Sequence, residues 1–170
     1  MPVVVDYRTL PFNITSISDS GKYVGRSAYW KLYAIENLIR ILVHSVLSAQ
    51  INPAWWAVAV DPNTDRKVQM VKRDYAKQPL HSSPGAHDIY CLFLPDLRKI
   101  MSAHRHLFSP IIPDIDQWIL RIEDIRLPRN IVGHMNWLNT ADERQIDDTY
   151  SDLMALMRRL PRSGITLTIL

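Results

Sequence analysis

The stretch AYWKLYAIENLIRILVHSVLSAQ, residues 28–50, decides how the chain folds. Within it Leu32, Ile35, Leu38, Ile39, Leu42, Val43, Val46 and Leu47 recur at steps of three and four. That is the period of a helix with one apolar face. Ser27 stands where an N-cap belongs, and Asn52-Pro53 cannot continue the helix. The spacing predicts a long amphipathic helix from Ala28 to Gln50.

Beyond it the pattern weakens. Ala54–Val60 reads as a short helix or a strand, Asp61-Pro62-Asn63 as a turn, and Lys67–Tyr75 as a strand or a short helix. With Pro79, Pro84 and Gly85 following, residues 51–90 read as an irregular insertion after the first long helix. Helical spacing resumes at Pro95-Asp96, with Leu97, Ile100 and Met101 facing inward. Pro110 and Pro113 interrupt it. Asp114 then caps a helix whose stripe is Ile115, Trp118, Ile119, Ile122 and Ile125. Arg129–Trp137 also reads as helical. Thr140 and Asp142 are cap candidates for a last helix that buries Ile146, Tyr150, Leu153, Met154, Met157 and Leu160, and Pro161 and Gly164 end it. Val3–Tyr7 and Ile165–Leu170 alternate in the manner of short strands. The expected fold is a mainly α helical bundle with short extended N- and C-terminal segments. It forms one domain over residues 1–170, with core helices at about 28–50 and 89–160. The 28–50 helix is expected to pack on those near Asp114–Ile125 and Asp142–Leu160.

Composition sets the frame. The 170 residues are 47% hydrophobic and 22% charged, an ordinary globular balance. A chain this long buries roughly two thirds of its unfolded surface. The single thiol, Cys91, rules out an internal disulfide framework and favours a reducing compartment. No Cys/His cluster has zinc spacing, so neither a metal nor another cofactor is expected. The first residues lack the basic and apolar regions of a signal peptide, and Glu36, Arg40 and His44 interrupt the longest apolar run. These features read as a cytoplasmic protein without a membrane span. The formal charge of +3, from 20 Lys+Arg against 17 Asp+Glu, permits an anionic partner without demanding one.

The chemistry-bearing segment is Leu127-Pro128-Arg129-Asn130-Ile131-Val132-Gly133-His134. Arg129, a polar Asn130, three small or apolar residues and His134 follow an amphipathic helix, and a long helix carrying Ile35-Glu36-Asn37-Leu38-Ile39-Arg40 precedes them. Pro128 either kinks a helix here or places Arg129 in the first turn of one. This arrangement resembles the R-x(4–6)-H motif of the HEPN superfamily, the higher eukaryotes and prokaryotes nucleotide-binding domains. The stretch from Ile89 to His134, with Phe93-Leu94-Pro95-Asp96-Leu97 and Trp118, looks like the HEPN branch appended to nuclear-pore-linked RNA endonucleases. The likeness covers about residues 28–50 and 89–160.

The resemblance implies metal-independent cleavage of RNA by a homodimer, in defence or as a toxin. An antitoxin or a larger defence assembly would be its partner. The residue types suit that chemistry. RNA supplies its own nucleophile, the 2′-OH; a histidine moves the proton, and a guanidinium braces the phosphoryl oxygens with a planar fork that lysine lacks. His134 is thus the candidate general acid or base, Arg129 the electrostatic stabiliser and Asn130 an orienting residue, with Glu36 and Arg40 in support. A five-residue step turns a helix by about 140°, so Arg129 and His134 point apart, and two copies around a twofold axis would complete the site. The rival expectation is a non-catalytic HEPN module that binds RNA or a nucleotide, or that dimerises a larger assembly.

Other clusters have plainer readings. Glu36 and Arg40 form an i,i+4 ion pair. His104-Arg105-His106, with Arg98 and Lys99, is a solvated basic face, and His44 is structural. Trp55-Trp56 belongs to the core or to a dimer interface. Asp142, Glu143, Asp147, Asp148 and Asp152 give the last helix an acidic start that suits its dipole, and they form no oxygen-ligand loop.

Overall fold

The computed structural model describes residues 6–168. Its elements are helical throughout, and no strand occurs among the described residues. Helix α1 (Ile14–Val24) runs through one π-helical turn (Gly25–Tyr29) directly into α2 (Trp30–Gln50), so the two make a single rod. After it come α3 (Trp56–Ala59), α4 (Pro62–Ala76), α5 (Leu94–Ala103), α6 (Arg105–Phe108), α7 (Ile115–Asp124), α8 (Arg126–Gly133) and α9 (Thr140–Arg159). The mainly α bundle is as the periodicity requires.

The core is built on α2. Ile35, Ile39, Leu42, Val43, Val46 and Leu47 are almost completely removed from solvent. They pack against α9, through residues such as Ile146, Leu153 and Leu156, and against α5, through Leu97 and Met101. An 18-residue window of the rod has a mean hydropathy of 1.3, which matches a membrane span by length and composition alone. More than half of that window is buried inside the protein, the setting of a core helix. Helix α7 packs mainly on α5 and α8 rather than on α2 as the stripe spacing suggested. Residues of α5 occupy the space between.

Several boundaries differ from the sequence reading, each for a local reason. The first helix does not start at Ser27. It starts after Asn13, whose side chain accepts the Thr15 N–H at 3.0 Å. Gly21 and Gly25 do not break it, because the Tyr23 ring stacks on Trp137 and both Tyr23 and Ser27 donate to the Glu143 carboxylate. Tertiary contacts outweigh the low propensity of glycine. The insertion is largely helical: Asp61 does not turn the chain but caps α4, accepting from the N–H groups of Asn63 and Thr64 and from the Thr64 hydroxyl, with Pro62 at the first helical position. Its longest irregular stretch runs from Lys77 to His87, with shorter ones at residues 51–55 and 60–61.

The expected terminal strands are absent where they can be seen. Val3–Val5 lie outside the described residues. Asp6 forms a side-chain turn with Arg8 while Thr9 N–H bonds back to the Asp6 carbonyl, which outcompetes an extended pairing. Residues 165–168 lie alone against α2, where Thr168 N–H donates to the Ser45 hydroxyl. Among the described residues no neighbouring strand exists for them to pair with, and Ile169 and Leu170 are outside the described residues. Helix α9 is capped by neither Thr140 nor Asp142 but by Asn139. Asn139 accepts the Asp142 N–H at 2.9 Å, while the Asp142 carboxylate faces back to the Asn139 N–H in a capping box.

Candidate functional site

The motif segment does not form one helix from Arg129 to Trp137. Helix α8 begins at Arg126, with Pro128 in its first turn, where a missing N–H costs nothing. Pro128 cannot bond the Asp124 carbonyl, and α7 gives way to α8 at Ile125, which keeps right-handed dihedrals, so the proline bends the helical path here. The Arg129 N–H is already bonded to the Ile125 carbonyl at 3.1 Å and is not a free donor for a phosphate. The helix stops after Gly133. His134 is the C-cap, Met135 takes φ +57°, Met135 N–H bonds Val132 C=O, and Asn136 N–H bonds Ile131 C=O at 2.9 Å. This pair of bonds is the Schellman closure, with a methionine where glycine is usual.

Burial of Ile125, Pro128 and Val132 fixes the face that α8 turns inward. Arg129 then projects toward α2. Its Nε lies 3.5 Å from Glu36 Oε2, and its guanidinium sits over the Phe93 ring, 5.5 Å from the centroid. Both Nη atoms of Arg129 are without a hydrogen-bond partner among the described residues. Glu36 is shared: its other oxygen accepts from Arg40 Nη2. Arg40 is nine-tenths buried and also donates to the Leu92 carbonyl at 2.7 Å and to Asn37 Oδ1 at 3.0 Å. Carboxylate, buried arginine and half-exposed arginine thus form a relay in which Arg40 fixes Glu36 and Glu36 holds Arg129 by one edge.

These residues line an open cleft of about 380 Å³ between α2 and α8, together with Tyr29, Tyr33, Asn37, Val132 and Gly133. Gly133 keeps this part of the lining free of a side chain, since a Cβ there would meet an Arg129 Nη at 3.6 Å. Two guanidinium groups against one carboxylate leave the cleft with a formal surplus of one positive charge, and the free fork of Arg129 is suited to an oxyanion.

The structure therefore brings Glu36, Arg40 and Arg129 together, and it places Asn130 and His134 elsewhere. Asn130 is half-buried on α8 and does not line the cleft; its carbonyl accepts the His134 N–H. The His134 ring is exposed at the helix end and is not part of the cleft lining either. The helical rotation anticipated this divergence. Tyr29, Tyr33, Asn37 and Phe93 were not singled out in the sequence. Tyr29, Tyr33, Glu36, Asn37 and Arg40 follow the three- and four-residue spacing of one helix face, which was the available signal.

The remaining clusters are occupied. In the basic face Lys99 pairs with Asp61, Arg105 with Asp116, Arg98 with Glu123, and His104 Nε2 donates to the Ala59 carbonyl. Of the acidic residues, Asp147 is paired with Lys31 and Asp152 with Arg121. No group of three metal-ligating side chains occurs among the described residues. Trp55 is fully buried and donates to His44 Nδ1 at 3.0 Å, while His87 stacks on Trp55 and meets His44 edge-on. Burial holds both histidines below the usual imidazole range, with the neighbouring His87 adding to the effect on His44. Set against family models, curated proteins and solved structures, the chain matches none in any of the three comparisons.

Proposed function

We propose that the protein is a HEPN-type endoribonuclease that works without metal. Arg129 binds the scissile phosphate and His134 moves the proton of the RNA 2′-OH. The observation that carries this reading is the tethered Arg129. Glu36 and Phe93 hold it in an open, positively charged cleft with its phosphate-binding fork free. A preset donor of that kind stabilises charge that builds during phosphoryl transfer. An exposed imidazole, without a side-chain partner among the described residues, lies at the other end of the same short helix.

Because Arg129 and His134 diverge, the reading requires a homodimer in which one copy's arginine meets the other's histidine. An apolar groove of about 580 Å³ runs beside the motif, lined by Ile17, Val24, Tyr29, Met135 and Trp137 among others. Met135 is 82% exposed. This surface lies beside His134 and is suited to a second copy of the chain.

One observation favours the rival reading, a non-catalytic module for RNA, a nucleotide or assembly: much of the basic surface is already neutralised by ion pairs. The deciding experiment is incubation of purified protein with mixed RNA in EDTA. The expected outcome is cleavage to 2′,3′-cyclic phosphate ends, DNA left intact, and loss on the order of a hundredfold or more in His134→Ala. Arg129→Lys should also fail, since a point charge does not replace a planar fork. A well-folded dimer that cuts no RNA, or full activity in His134→Ala, would move the assignment to the binding module.

A further inference from the structure

The wall of the cleft opposite Arg129 is aromatic and bare. Tyr29 and Tyr33 stand one turn apart on the rod, 58% and 65% exposed. Every other aromatic ring in their neighbourhood is engaged. Trp30 donates to the Arg26 carbonyl at 2.8 Å and meets Tyr150 edge-on. Tyr23 stacks on Trp137 and donates to Glu143. Phe93 lies under the Arg129 guanidinium. Among the described residues Tyr29 and Tyr33 have neither a stacking partner nor a side-chain hydrogen bond, although both line the cleft that holds the free fork. The π-helical turn ends at Tyr29 and resets the phase of the helix there. Such turns cost hydrogen-bond geometry and are found frequently at functional sites.

We propose that Tyr29 and Tyr33 form a stacking wall for an unpaired nucleobase of the bound RNA, whose phosphate is held at the Arg129 end of the cleft. The inference rests on the ribonuclease reading of the site and adds the residues that grip the base. The cleft is of small-ligand size. A base within a duplex keeps its faces covered by its neighbours, whereas a splayed-out base offers a π-face to a tyrosine. Every base has such a face, so the wall selects for an unpaired strand with little regard to its sequence. Grip and charge are divided between two elements: α2 presents the rings, and α8 presents the cation.

The test is equilibrium binding of a short fluorescein-labelled 2′-O-methyl RNA, which lacks the nucleophile, as a single strand and as a duplex. Wild type, Tyr29→Ala/Tyr33→Ala, Tyr29→Phe/Tyr33→Phe and Arg129→Ala are compared over a salt series, with light scattering on each. With the stacking surface removed, the alanine pair should weaken single-strand binding on the order of tenfold or more. It should leave the salt slope unchanged, because no phosphate contact is lost. The phenylalanine pair should bind within about twofold of wild type. Arg129→Ala should instead flatten the salt slope. Tyr29 is shared by the cleft and by the groove given to the second copy, whereas Tyr33 lines the cleft and not that groove. Three results would overturn the wall: single-strand binding by the alanine pair equal to wild type, failure of phenylalanine to restore it, or conversion of a dimer to a monomer by the alanine pair, which would make the tyrosines an interface. If the wild type neither binds the strand nor cuts RNA, the ribonuclease reading falls, and the wall with it. If the wild type cuts RNA and the alanine pair leaves its KM unchanged, only the wall falls.

Discussion

Replacing Arg40 with methionine removes the buried end of the relay while keeping a side chain of similar length. The Arg40 side chain is 10% exposed and that of Glu36 is 13% exposed, so the pair sits where unpairing is expensive. Taking one partner from a buried pair costs about 3–5 kcal/mol. The Leu92 carbonyl loses its donor as well, which alone is worth about 1–3 kcal/mol. Two effects work the other way. Arg129 remains 3.5 Å from Glu36, although its side chain is 34% exposed and its attraction is correspondingly screened. Arg40 Nε, buried without a hydrogen-bond partner, also disappears. The net expectation for Arg40→Met is a loss of about 3 kcal/mol, near the low end of the unpairing range. That lowers Tm by about 6–12 °C in a protein of this size.

Urea denaturation followed by circular dichroism measures it. Arg121→Ala serves as control: Arg121 and its partner Asp152 are each about half exposed, and the pair is worth less than about 1 kcal/mol. Glu36→Gln/Arg40→Met should be more stable than Arg40→Met alone, since the stranded carboxylate is gone. Arg40→Met within about 1 kcal/mol of wild type would refute the anchoring role, because it would put the pair in the range of exposed ion pairs. So would a double variant in which the two losses simply add.

Met135→Gly should stabilise the protein by about 0.5–1 kcal/mol. A left-handed side chain costs about 1–2 kcal/mol, and glycine returns only part of that to chain entropy. Differential scanning calorimetry reads the effect, and a lowered Tm would contradict it. Asn139→Ala should cost about 1 kcal/mol through loss of the α9 cap, measurable in the same denaturation assay. Stability should also fall as pH drops below about 6.5, the ordinary imidazole value. Burial lowers the pKa values of His44 and His87 below those of the unfolded chain, and their Nδ1 atoms accept from Trp55 Nε1–H and Ile89 N–H, an arrangement that suits the neutral ring. The unfolded chain then binds more protons in that window, and ΔG of unfolding rises with pH across it and levels off above it. His44→Gln should flatten the slope; an unchanged profile would place the dependence elsewhere.

Where apolar residues kept strict helical spacing, the sequence was readable. Ile35, Ile39, Leu42, Val43, Val46 and Leu47 are the core of α2 as their period required, and Ile146 and Leu153 do the same for α9. Helix α1 left no such trace. It buries only Ser20, and its order comes from contacts far away in sequence, at Glu143: from Tyr23, 120 residues off, and from Ser27 in the π-helical turn that continues it, 116 residues off. Helix α4 has a similar explanation: its inward stripe is short and starts on a polar residue, with Thr64 and Val68 buried and Val71 half-buried, while its start depends on the Asp61 cap. In the candidate site the i,i+4 spacing of Glu36 and Arg40 was visible, but the approach of Arg129 to Glu36 depends on how α8 crosses α2, which spacing along one chain segment does not encode. The early stop of α8 was equally hidden, since a methionine in the left-handed region carries no turn signature.

The rod of α1 and α2 has a consequence for the order in which the protein opens. Ten residues of α2 are buried against one in α1, yet the backbone runs through without a break. A continuous helix is then not a uniform one. Amide protons of its first turns should exchange through local fraying at little cost, while those near Val43 should wait for global unfolding. The step between the two regimes falls at the widened turn of Gly25–Tyr29, so one covalent helix contains two cooperative units, and their junction borders the cleft.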